Sequence, residues 1–132
     1  MRNALALIGS ALLLGGASVS AAARVSAKGE ADLAKALAGR VAGKPVDCLV
    51  QRNIRSTQIF DGTAILYEVG RTYYVVRPLA ASSLRSDDIM ITDTHTNQLC
   101  SVDIVRMVDS SSLMSTGSVG LSSFVPYTKP KV

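Results

Sequence analysis

The chain is expected to form a single α+β domain, one N-terminal helix packed on a small, mainly antiparallel β-sheet or a partly closed barrel. Three observations lead there. The 132 residues suffice for one domain and fall short of two ordinary ones. A helical, four-residue apolar spacing occurs ahead of Pro45, and beyond Pro45 the apolar period shortens to two. Turn signals such as Asp61-Gly62 and Gly70-Arg71 then divide the chain into short runs.

The first segment is set apart from that domain. Met1-Arg2-Asn3 supplies a positive start, Ala4 to Ala17 an apolar run, and Val19-Ser20-Ala21-Ala22-Ala23 the small residues that signal peptidase reads. Residues 1–23 are therefore expected to be a cleaved signal peptide, with the cut after Ala21, Ala22 or Ala23, and residues 24–132 the mature domain. The apolar run is about 14 residues long and broken by Gly9, Gly15 and Gly16, whereas a membrane span needs about 20. No cysteine follows it to carry a lipid, so no stable membrane anchor is expected after leader cleavage.

Removing Arg2 lowers the formal charge from +4 to +3. The remaining cations, among them Arg52, Arg55, Arg71, Arg77, Lys129 and Lys131, are scattered along the chain and make no nucleic-acid-binding stripe. A weak attraction to anionic envelope surfaces is compatible with that charge.

In the mature chain, Leu33, Leu37 and Val41 lie four residues apart with Ala34 and Ala38 beside them, which predicts a helix over about 30–42. Glu30 and Asp32 at its start and Arg40 near its end suit the helix dipole. Gly43 is expected to take the left-handed position after it, and Pro45 to stop it. The β-rich part is expected over about 46–127. Val46, Cys48 and Val50 share one strand face, with Asp47, Leu49 and Gln51 opposite. Ile54 to Phe60 reads as a second strand. Thr63 to Val69 and Thr72 to Arg77 form a hairpin through Gly70-Arg71, ended by Pro78. After a serine-rich loop, Ile89 to Thr92 and Gln98 to Val108 read as strands around a polar turn, followed by a short element near Val119 to Val125.

The two cysteines each fall on an apolar strand face: Cys48 with Val46 and Val50, Cys100 with Val102 and Ile104. In an exported chain two cysteines facing one core should form a disulfide. Unlinked thiols packed as small hydrophobes are the alternative. Zinc is not expected, because the chain offers two Cys and only His95 where a structural site wants four ligands. Redox work would want Cys-x-x-Cys, which is absent. His95 in a polar turn, the carboxylates Asp61, Asp87 and Asp88, and Gly117-Ser118-Val119-Gly120 all read as loop and turn residues.

Cys48, the stretch Asn53 to Leu79 with its Asp-Gly-Thr and hairpin, Leu-Cys-x-x-Asp at Leu99 to Asp103 and Phe-x-Pro at Phe124 to Pro126 follow one another in an order that resembles a family of small exported bacterial proteins of unknown function. The resemblance covers roughly Val46 to Tyr127 and implies no activity. Proteins of that kind often carry two further cysteines, where this chain has Ala81-Ser82-Ser83 and Val119; their joint absence implies that the remaining two make their own bridge.

With no catalytic set in view, the expectation is a non-enzymatic periplasmic or secreted protein without cofactor or metal, a structural or interaction module of the cell envelope. The alternative is a small-molecule binding module using the tyrosine-bearing hairpin face, Tyr67, Tyr73, Tyr74 and Arg77. The expected partner is an envelope component or a small ligand, and not nucleic acid.

Overall fold

A computed structural model describes residues 20–131. Most of the expected leader, residues 1–19, lies outside them. The helix α1 spans Ala21–Ala36, and the strands are β1 (Val41–Ala42), β2 (Cys48–Val50), β3 (Ile54–Phe60), β4 (Ala64–Val69), β5 (Thr72–Val76), β6 (Asp88–Thr92), β7 (Gln98–Cys100), β8 (Ile104–Asp109), β9 (Ser115–Gly120) and β10 (Val125–Thr128). They form a five-stranded sheet in the order β1-β10-β5-β4-β3, a two-stranded β2-β7 sheet and a three-stranded β6-β8-β9 sheet. All the pairings are antiparallel. The α+β class holds, and the sheets formed by the described residues are open, so the barrel alternative has no support.

The helix differs from its expected position by several residues. It runs through Ala21–Ala36, so the three candidate cleavage residues lie in its first turn. It ends because Gly39 takes a left-handed φ of 74°, four residues ahead of the glycine expected there. Val41 and Ala42, assigned to the helix by periodicity, are instead strand residues paired with Thr128 and Tyr127. Gly43 donates its N–H to Pro126 O at 2.7 Å.

Three layers result, because the five-stranded sheet is apolar on both faces. Ala64, Ile65, Leu66 and Tyr67 in β4 are all buried. On one side Leu33 of α1 packs with Phe60, Ala64, Leu66 and Val75, flanked by Tyr73 and Tyr127. On the other, Ile65, Tyr67 and Val76 meet Leu49, Leu99, Val105, Met107 and Phe124 from the smaller sheets and the β9–β10 connection. Burying each such aliphatic side chain contributes about 1.5–3 kcal/mol. The helix approaches closely at Gly29, where a Cβ would collide with Asp61 O and Thr63 Oγ1.

The β4–β5 hairpin forms as expected, with Gly70 at φ 59° in its turn. The run Gln98 to Val108 does not stay one strand. Asp103 accepts the Cys100 N–H at 2.6 Å through Oδ2 and donates its own N–H to Cys100 O at 3.0 Å, turning the chain between β7 and β8. Val102 and Ile104, expected to share a buried face with Cys100, are consequently 85% and 63% exposed.

Cys48 and Cys100 form a disulfide. They are opposite one another in β2 and β7, and the flanking bond from Ser101 N–H to Asp47 O makes theirs the non-hydrogen-bonded kind of pair, in which side chains approach most closely. The bridge is nevertheless on the half-buried face. The core side of this ribbon is Leu49 and Leu99, at 5% and 2% exposure, which is the reverse of the facing expected from Val46, Cys48 and Val50. The outermost of these, Val46, leaves the ribbon to pair with Phe124.

Candidate ligand-binding cleft

Between β3–β4 of the large sheet and β6–β7 of the smaller ones, the layers part to leave a cleft of about 370 Å³ lined by Gln51, Ile54, Tyr67, Asp88, Met90 and Leu99, with Thr57, Ile59 and Thr92 completing it. Its volume lies within the range of small-ligand sites. The strand β6 faces inward with Asp88, Met90 and Thr92, while Ile89 and Ile91 face out at 45% and 37% exposure.

Asp88 is the chemically informative residue. It is 8% exposed; Oδ2 accepts the Thr116 hydroxyl at 2.7 Å, and Oδ1 is buried with no hydrogen-bond partner among the described residues. A buried acceptor left unmade costs about 1–3 kcal/mol, and more when charged. Opposite in character is the Tyr67 phenol, whose hydroxyl lies 3.7 Å from Met90 Sδ, a weak acceptor. Burial pushes the Tyr67 hydroxyl well above its ordinary value, so it stays a neutral donor. The Phe124 ring holds the Tyr67 ring edge-on, 5.8 Å between centroids.

The tyrosines expected to share a binding face are divided by the pleat. Tyr67 and Tyr74 are cross-strand partners on the inner side; Tyr73 stands opposite Glu68 on the helix side. Arg77 lies past the end of β5, where Nη1 and Nη2 meet the Glu30 carboxylate at 2.5 and 3.1 Å. Of the four, only Tyr67 lines the cleft. Asp88, read from sequence as a turn residue, is the first residue of β6. Its one sequence signal is the shared parity with Met90 and Thr92, which the more apolar Ile89 and Ile91 mask.

Elsewhere, Asp61 Oδ1 accepts the Ser86 N–H at 2.6 Å, and Asp109 Oδ1 accepts from the N–H and hydroxyl groups of Ser111 and Ser112. Those four donors hold the Asp109 carboxyl well below the usual carboxylate range. His95 is exposed in the turn before β7. Among the described residues no group of His, Cys, Asp and Glu is arranged to hold a metal ion, and no helix is long and apolar enough to cross a membrane. The disulfide points to an oxidising, non-cytoplasmic environment. The chain matches no known family model, no curated protein and no solved structure.

Proposed function

We propose that this is an exported, non-enzymatic binding module of the cell envelope whose cleft takes a small ligand with a hydrogen-bond-donating, cationic head and an apolar body. The observation that carries the reading is Asp88, which lines a cleft of ligand size and whose Oδ1 is a buried acceptor with no donor among the described residues. An ammonium or amidinium group would supply the missing donor, and a charge-assisted bond of this kind is among the stronger ones. Ile54, Ile59, Met90 and Leu99 offer the apolar wall for the rest of the molecule. The resemblance of the motif order to that of small exported proteins and the disulfide favour the envelope assignment.

The test is a thermal-shift screen of primary amines and amidines against the oxidised protein, repeated on Asp88→Asn and Tyr67→Phe. The Asp88→Asn side chain keeps an acceptor for the Thr116 hydroxyl and removes the charge, so the free variant should melt higher by about 4–8 °C for each kcal/mol gained. It should at the same time lose the ligand-induced shift. Opposite signs in one variant separate binding from mere stability. Saturable stabilisation of Asp88→Asn equal to that of the parent would refute the cleft assignment.

A further inference from the structure

The cations that look scattered in the sequence are not scattered in space. A groove of about 660 Å³ at the Gly70 end of the large sheet is lined by Arg40, Arg71, Lys129 and Lys131, with Glu68 its single acidic side chain among the described residues. A second, shallower depression of about 410 Å³ is lined by Arg52 and Arg55, and Gly70 at the hairpin tip borders both. Among the described residues, the ion-paired cations are elsewhere: Lys28 with Asp32, Arg77 with Glu30, Arg85 with Asp87. None of the six groove cations has a carboxylate partner in that set, and Glu68 Oε2 already accepts the Ser56 hydroxyl at 2.9 Å.

Arg40 gives the groove a fixed element. Its guanidinium lies 3.5 Å above the Tyr73 ring, and Nη1 donates to Arg71 O at 2.9 Å and Tyr127 O at 3.2 Å. A cation so held loses little side-chain freedom on meeting an anion. The stack also covers the Tyr73 face, so this aromatic ring is not available as a platform for bases.

We infer that the groove and the neighbouring depression, on either side of the Gly70 turn, bind one linear, phosphate-bearing polyanion. Six cations spread over two depressions that border on Gly70 match a chain of repeated charges better than one compact ion, and affinity for such a chain comes from displacing its counterions. The site is separate from the Asp88 cleft and does not depend on a ligand being found there.

Long-chain inorganic polyphosphate is the probe, titrated into the purified, disulfide-bonded protein and read by calorimetry across a salt series. Orthophosphate, phosphatidylglycerol vesicles and a single-stranded oligonucleotide are the comparison arms. Arg71→Glu/Lys129→Glu should weaken polyphosphate binding about tenfold or more and flatten its salt dependence. Lys35→Glu/Arg106→Glu, which changes the net charge equally away from the grooves, should change it less than about twofold. All four positions are exposed, and circular dichroism checks that each variant folds. Equal losses in the two variants would reduce the effect to net charge and overturn the site. Failure of polyphosphate to bind, or tighter binding to orthophosphate, the vesicles or the oligonucleotide, would overturn the ligand class.

Discussion

The central sheet meets a helix on one face and two small sheets on the other, and the two faces are closed by different physics. The helix face is a short apolar cluster around Leu33, sealed where Gly29 lets the helix backbone sit against the β3–β4 turn. The opposite face has the larger cluster, yet its cover is assembled from two separate sheets and a disulfide. A helix lays one continuous stripe along a sheet. Two ribbons leave a seam, and in that seam are the cleft, the orphaned Asp88 oxygen and the Tyr67 hydroxyl. Incomplete closure is where a polar group can be kept inside without a partner, awaiting one.

The strongest way to break the comparison is at Phe124, fully buried beneath the seam against Tyr67. Phe124→Ala should cost about 3–5 kcal/mol in urea unfolding, at or above the loss from Leu33→Ala on the helix face. Replacing both cysteines by serine should cost up to about 4 kcal/mol, the chain-entropy figure for a bridge across 52 residues, and should loosen the β2–β7 ribbon before the helix. Hydrogen exchange would show that order as early loss of protection at Leu49 and Leu99, with Leu33 still protected. Gly29→Ala tests the other face. The added methyl meets Asp61 O and Thr63 Oγ1, and the overpacking should cost about 1–3 kcal/mol while leaving the cleft's ligand response intact.

The smallest effect expected is that of the Glu30–Arg77 bridge, which ties α1 to the end of β5. The Arg77 guanidinium holds the Glu30 carboxyl below its ordinary value. Its contribution is therefore present above the unfolded glutamate pKa near about 4.3 and is lost as pH falls through the lower folded value. With the two side chains 49% and 53% exposed, the pair contributes about 0.2–1 kcal/mol. Glu30→Gln should remove that part of the acid dependence and little else, as followed by melting temperature from about pH 6 to about pH 3.

What was legible in the sequence follows the same divide. Local signals were reliable: the Gly70-Arg71 hairpin could be read from turn chemistry and alternation, and the Ile54–Phe60 strand from its residue types and the Asp61-Gly62 turn. The disulfide is expected from export and a shared core face, and it forms although that face is not the core side. Parity misled where an element has two useful faces. Cys48 shares its face with Val46 and Val50, but the core took Leu49, because the partner ribbon presents Leu99 on that side. In β6 the two isoleucines advertise a buried face, and the structure turns Asp88 and Met90 inward instead. The helix was misplaced because Gly39 and Gly43 both offer a stop, and only the pairing of Val41–Ala42 with the distant β10 decides between them. The basic groove could not be foreseen, since Arg40, Arg71 and Lys129 come together only through the sheet order.

That sheet order also constrains the sequence of events by which the fold is reached. The strand β10 lies between β1 and β5, so β1 has no partner in its sheet until residues 125–128 have been synthesised. The β3–β4–β5 meander and the β6–β8–β9 unit can each form from neighbouring chain in microseconds to milliseconds. Joining residue 41 to residue 128 is a closure across nearly the whole described chain, and it is the slow kind. A chain that becomes available from its N-terminus onward therefore carries an unpaired β5 edge and a free β1 until β10 arrives. Docking of β10 completes the order β1-β10-β5-β4-β3 and ties the first strand to the meander.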